Sequence, residues 1–383
     1  DHPDRFSMIP LPNPYVVPGG RFRECYYWDS FWVVLGLLQC DMVDTATGIV
    51  LNIMSTIEQH GFMPNGARKY YLNRSQPPLA CEMLMKIHEA RPNPDLLRRC
   101  LPTLLKEYNF FMDQDSPNAH CVAVDVDGSL YRLNRYAAWS QEPRPESYRE
   151  DLEVAERVAA ASVKTAKQVY SHIAAAAETG WDFSTRWFRD ASSMDTINTM
   201  EILPVDLNAI LYKFERNLAY MHEQLRDPLI EHCFRVSWEG AAPSVGALEE
   251  MCRGLGDVNE MSLTEHGFLV VFAAPRGAAA LTEHTVEGHT VHLVPLGHMY
   301  WLVAAERRRV AMERGMYDQD TSQWDDYKVR LQLRHRDNID GRGCIQLRAS
   351  LGWLLHQTTS HEGCGGAASV APGVQGGCCV HGH

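Results

Sequence analysis

The chain has 383 residues, 45% of them hydrophobic and 22% charged, with a net charge of −12. That composition is ordinary for a globular protein large enough to bury an extensive core, as one big domain or two smaller ones. The acidic balance argues against a nucleic-acid backbone or an anionic membrane as the main partner, and no apolar run approaches the roughly 20 residues of a bilayer span. The sequence opens at Asp1 without a methionine or a signal-like stretch, so the natural N-terminus is expected upstream and the localisation is unreadable.

Residues 18–30, "PGGRFRECYYWDS", are too charged for a core helix and too aromatic for a solvated loop. Helices follow over 29–40 and 41–60, each with an aspartate in front that could cap it. In the second, Met42, Ala46, Val50, Ile53 and Ile57 recur at three- and four-residue steps. The same spacing predicts helices over 79–91, 95–113, 147–162, 164–178 and 205–224. Between them run "GFMPNGARKYYLNRSQPP", "DGSLYRLNRYAAWSQEPRPES" and "ETGWDFSTRWF", long segments rich in Arg, Asn, carboxylates and aromatics. Loops of that length in a helical scaffold tend to carry function. After about residue 225 periodicity weakens and glycines multiply, and the glycine-rich tail from Leu351 is expected to be disordered. No repeat of fixed period is present.

Eleven cysteines is an odd number. Cys25, Cys40, Cys81, Cys100 and Cys121 sit among apolar neighbours without metal-like spacing and read as buried thiols. The 17 histidines show no paired spacing backed by other ligands, so no metal is expected, and nothing calls for a cofactor. Asn73-Arg74-Ser75 is formally a glycosylation sequon, but it lies inside the loop chemistry described next, where a glycan would not fit.

The loop side chains suit a neutral polyol. Arg21, Arg74 and Arg144 offer guanidinium forks for paired hydrogen bonds. Asn65 and Gln76 donate and accept, Asp29 and Glu146 accept from hydroxyls, and Trp28 and Trp181 give flat faces for a sugar ring. No glycine-rich phosphate-binding fingerprint competes with this reading. Asp182 lies between Trp181 and Phe183, where aromatic neighbours would favour the protonated carboxyl of a general acid. The plainer alternative is that Asp182 caps a helix beginning near Ser184.

"VVPGGRFRECYYWDSFW" (Val16–Trp32) resembles the first diagnostic motif of trehalases of glycoside hydrolase family 37. "PNGARKYYLNRSQPPL", "NRYAAWSQEPRPESYREDLE", "ETGWDFSTRWF" and "ILPVDLNAILYKFE" resemble the family's following blocks in order, covering about residues 8–222. The resemblance implies an all-α fold, an (α/α)6 toroid, and hydrolysis of α,α-trehalose to two glucose molecules with inversion. It makes Asp182 the catalytic acid. It also places Arg21, Trp28, Asp29, Asn65, Arg74, Ser75, Gln76, Arg144, Glu146 and Gly180 around the sugar. Glu24 reads as a structural ion-pair partner.

The resemblance then breaks. Inversion needs two carboxyl groups about 6.5–9.5 Å apart, one to protonate the leaving oxygen and one to activate water. The family's base is a glutamate in a late Gly-Gly-Glu-Tyr block, which this sequence lacks; Glu362 in "HEGCGG" is a remote stand-in. Family-like sequence resumes through "HMYWLVAAERRRVAMERG" and "SQWDDYKV". The expected organisation is therefore a trehalase-like region over 1–224, an atypical insertion over 225–297, a family-like helix and turn over 298–331 and a divergent tail over 332–383. Together these make an incomplete toroid. Two other readings stand beside hydrolysis of trehalose, namely a catalytically impaired fragment and another inverting toroidal α-glucosidase.

Overall fold

Short connections fix the arrangement of the first helices. Helix α1 (Asp29–Gln39) turns through residues 40–42 into α2 (Val43–His60), and α3 (Ala80–Ala90) turns through 91–93 into α4 (Pro94–Met112). Links of three residues leave each pair antiparallel. A hairpin of β1 (Cys121–Val126) and β2 (Ser129–Asn134) precedes α5 (Tyr148–Ala161) and α6 (Ala166–Glu178). The two-residue strand β3 (Ile202–Leu203) leads into α7 (Val205–Leu225). The computed structural model describes residues 5–114, 119–161, 164–225, 233–238, 242–264, 267–272, 284–295, 299–328 and 333–334. The expected tail over 332–383 falls almost wholly outside them.

Burial explains the helical spacing. Phe31 and Val34 of α1, Ile49, Ile53 and Ile57 of α2, and Leu97 and Leu104 of α4 close one core with Phe214 and Leu218 of α7. One turn earlier, α7 turns Leu207 and Leu211 into a second core with Phe111, Val169, Ile173 and Trp187. These helix pairs form an arc of an (α/α)6 toroid. Consecutive antiparallel helices put the ends of α2, α4 and α6 beside the starts of α1, α3, α5 and α7. The long segments 61–79, 119–147 and 179–204 therefore emerge on one side.

The aspartates expected to cap α1 and α2 do not do so. Trp28 and Met42 occupy the cap positions without a side-chain bond; Asp29 is already in the first turn of α1, and Asp41 sits in the turn at φ 63°. Real caps lie elsewhere. Asn93 accepts from the Leu96 amide at 3.0 Å with Pro94 in the first turn, and Thr165 forms a reciprocal box with Gln168.

The described parts of 225–297 hold the largest sheet among the described residues. β4 (Cys233–Trp238), β5 (Val258–Thr264), β6 (Gly267–Phe272), β7 (His284–Val286) and β8 (His289–Pro295) form one antiparallel sheet in the order β5-β6-β4-β8-β7. Helix α8 (Val245–Leu255) covers one face, and Leu248 and Cys252 pack on Phe234, Val236, Phe268 and Val291. The chain returns to the helical body as α9 (Met299–Met316), which lies against α7. The joints are adjacent: the His222 ring near the end of α7 stacks on Trp301 near the start of α9, centroids 6.1 Å apart.

Buried polar groups lock α9 and the next turn in place. Arg308 donates to Glu215 at 2.8 Å, to Asn134 at 2.8 Å and to Asn208 at 3.0 Å. Beyond α9 the short strands β9 (Tyr317–Asp318) and β10 (Gln323–Trp324) pair, and β11 (Tyr327–Lys328) pairs with β3. Between β10 and β11, Asp326 clamps Arg186 at 2.5 and 2.6 Å and accepts from the Val205 amide at the head of α7.

Of the cysteines expected to be buried, Cys25, Cys81, Cys100 and Cys121 are, and burial raises each thiol's pKa. Cys40 is exposed. It caps the end of α1 in the exposed turn 39–42, where Met42 is exposed as well.

Candidate active site

The aromatic segment before α1 is held from below. Tyr27 is fully buried, donates to Glu107 of α4 at 2.6 Å and accepts from the Ala80 amide at the head of α3 at 3.0 Å. Its own amide donates to the Asn65 carbonyl, and the Trp28 amide donates to Gln76 Oε1 at 3.1 Å. Asn65 and Gln76 are therefore buried members of the loop that grips the Trp28 backbone. Glu24 pairs with Arg68 Nε at 2.7 Å, a bond that joins the same two segments.

Trp28 in turn fixes the loop that carries Asp182. Gly180 has φ +71°, and a Cβ there would lie 2.5 Å from the Trp28 ring, so only glycine permits the contact. Phe183 also holds a left-handed conformation, φ 54°, which is strained for an aromatic residue. Its ring lies under the Arg144 guanidinium, 4.9 Å from centroid to Cζ. Asp182 stands between these two special positions. The cap of the following turn is Ser184, whose hydroxyl accepts from the Arg186 amide, so the capping role does not fall to Asp182.

The Asp182 carboxyl is open to solvent yet crowded by protein on its other sides. Desolvation raises its pKa, the positive fields of Arg144 and Arg74 oppose that rise, and Glu146 adds to it. Arg144 is set by a two-pronged pairing with Asp151 at 2.8 Å on each prong. Arg74 is 2% exposed, pairs with Glu146, and lies 4.9 Å from the Tyr71 ring centroid. Its Nε is buried without a hydrogen-bond partner. Asp29, half-buried in the first turn of α1, is also raised by burial.

Not every expected residue joins this group. The Ser75 hydroxyl is fully buried and donates to the Met63 carbonyl at 2.7 Å, so Ser75 shapes the loop from behind. Arg21 stands on the exposed Gly19–Phe22 turn with its guanidinium on the Phe22 ring at 4.8 Å. Among the described residues, no group of three or more His, Cys, Asp or Glu side chains is placed to hold a metal ion. No described helix is long and apolar enough to cross a membrane. Glu362 lies outside the described residues.

Glu178, unremarked in the sequence, is the hub behind the site. Fully buried as the last residue of α6, it accepts from the Ser75 amide at 2.8 Å, the Ala137 amide at 2.8 Å and His120 Nε2 at 3.0 Å. One carboxylate thus ties together the loops that bear Arg74, Arg144 and Asp182. Nothing in its sequence context, "AETG", separates it from a solvated helix end.

Comparison with known proteins identifies the family and the fold. A family model described as trehalase matches residues 1–243. The chain is 46% identical over 233 residues to a probable trehalase of Oryza sativa subsp. japonica, covering 61% of this chain and 40% of that protein. It is 45% identical over 218 residues to a trehalase of Arabidopsis thaliana, covering 57% of this chain and 34% of that protein. In fold it is similar to a neutral trehalase from Saccharomyces cerevisiae, with TM-score 0.52, 24% identity, and coverage of 84% of this chain and 49% of that one. The matched stretch spans about two-fifths or less of the length of these curated relatives.

Proposed function

Since the chain belongs to the trehalase family, we propose that its loop-lined site binds α,α-trehalose and hydrolyses it to two glucose molecules with inversion. The observation that carries the reading is Asp182, its pKa raised by desolvation beside the buried Arg74 and Arg144. A carboxyl that keeps its proton at higher pH than a free aspartate can deliver it to the glycosidic oxygen as that bond breaks. Arg74 and Arg144, held rigid by Glu146 and Asp151, present donors to sugar hydroxyls, and Trp28 offers a ring face locked against Gly180. Water must attack from the opposite side of the sugar, through a second carboxylate.

One observation favours a second reading, in which the chain binds the sugar without turning it over: Glu146, whose charge acts on Asp182, is committed to Arg74 and Arg144.

Glucose release from trehalose, with the product anomer followed by NMR, separates the two. Hydrolysis that yields β-glucose alongside α-glucose and disappears in Asp182→Asn supports the enzyme. Binding of trehalose without release, lost in Arg74→Ala, supports the second reading, and neither binding nor release refutes both. A panel of α-glucosides tests the remaining possibility, because cleavage of 1,4-linked substrates would reassign the chain to another inverting α-glucosidase.

A further inference from the structure

A cavity of about 700 Å3 opens among the same loops, yet none of the residues assigned above to the sugar site lines it. In two segments, neighbouring residues divide between this cavity and the group around Asp182, so the two share a wall there. Asn73 faces the cavity while its neighbour Arg74 turns to Glu146. Pro143 and Pro145 line it, while Arg144 between them turns to Asp151 and Phe183. The volume falls in the range of small-molecule sites, about 300–1,000 Å3.

The lining defines what would fit. Phe62 and Phe110 stack with centroids 4.3 Å apart and present an apolar wall, and Tyr70 adds a third ring. Trp139 also lines the cavity and leaves 55% of its surface exposed, an unusual position for an indole in a folded chain. Asn73, Gln141 and Glu142 supply amide and carboxylate groups near it. Lys69 is the positive side chain of the lining, balanced by Asp113 and Glu142, so no field selects an anion. The other basic side chain, His120, is bonded to Glu178. Flat aromatic faces interleaved with neutral and acidic hydrogen-bonding groups match a polyhydroxylated ring, which has apolar C–H faces and an equator of hydroxyls.

We propose that this cavity is a second carbohydrate site, distinct from the Asp182 site, taking a neutral mono- or disaccharide against Trp139. The proline pair makes the shared wall stiff, so a sugar seated on Pro143 and Pro145 bears directly on the position of Arg144.

The test is calorimetric titration of the full chain with glucose and with maltose. Comparison is with Trp139→Ala and Glu142→Ala, both exposed positions, after circular dichroism has matched their folds to the parent. The expected result is saccharide binding that weakens at least tenfold in Trp139→Ala and several-fold in Glu142→Ala, and that is unchanged in Asp182→Asn. Binding unaffected by either substitution at the cavity overturns the proposal, as does the absence of saccharide binding. Trp139-dependent binding of 1,6-hexanediol without any of a sugar also overturns it, by showing an apolar ligand site. Because Asp182→Asn disables hydrolysis but leaves this cavity intact, failure here and failure of the trehalose reading are separate results.

Discussion

Glu107 gives the sharpest physical test of how the aromatic segment before α1 is anchored. Burial moves its carboxyl from the usual 4.5 to about 8, so at neutral pH the folded protein carries it protonated, while the unfolded chain carries it ionised. Between those two values the folded state binds one more proton than the unfolded state. Stability therefore falls as pH rises through the window, by about 1.4 kcal/mol per pH unit. From pH 5.5 to 7.5 the loss from this one group is about 3 kcal/mol. Glu107→Gln keeps an oxygen for the Tyr27 hydroxyl and has no proton to release. Urea unfolding of both proteins, followed by far-ultraviolet circular dichroism at pH 5.5, 6.5 and 7.5, isolates the effect because every other titrating group is common to both. The variant's stability is expected to gain on the parent by about 3 kcal/mol over the series. Parallel curves would show that Glu107 is ionised in the fold and refute the reasoning.

Other substitutions probe other joints. Gly180→Ala places a Cβ 2.5 Å from the Trp28 ring at a left-handed φ, so it is expected to cost about 1–3 kcal/mol of stability and to weaken trehalose binding at least tenfold by calorimetry. Asp326→Asn removes the charge of one of the two carboxylates that pair with the buried Arg186; a loss of about 3 kcal/mol in chemical denaturation is expected, and no loss would show that the turn after α9 does not hold α7. Native-state alkylation mapped by mass spectrometry is expected to modify Cys40 rapidly, and Cys25, Cys81, Cys100 and Cys121 only after unfolding.

The helices were legible because each buries one stripe: the steps Val50, Ile53, Ile57 read from the sequence are the ones packed into the first core. Two of the missed hairpins carried a local cue in the sequence. In the hairpin β1–β2 the pair Asp127-Gly128 takes φ 53° and 77°, and in β7–β8 the pair Glu287-Gly288 takes φ 49° and 79°. Both are two-residue turns with left-handed backbone, the geometry for which an Asp-Gly between alternating residues is a strong signal. Of the candidate site, Arg74, Arg144 and Asp182 stood out in the sequence because charged side chains sit there among aromatics, although both arginines are buried in the fold. What supports them could not: Asp151 behind Arg144 and Glu178 behind all three loops are carboxylates whose burial depends on tertiary contacts alone.

The bonds to Glu178 also set how the pocket can move. Three separate stretches of chain share one anchor, so none can swing outward without leaving a buried carboxyl group short of a hydrogen-bond partner and loosening the other two. Opening is therefore expected to be concerted, with hydrogen exchange at the Ser75 and Ala137 amides, both bonded to Glu178, rising and falling together.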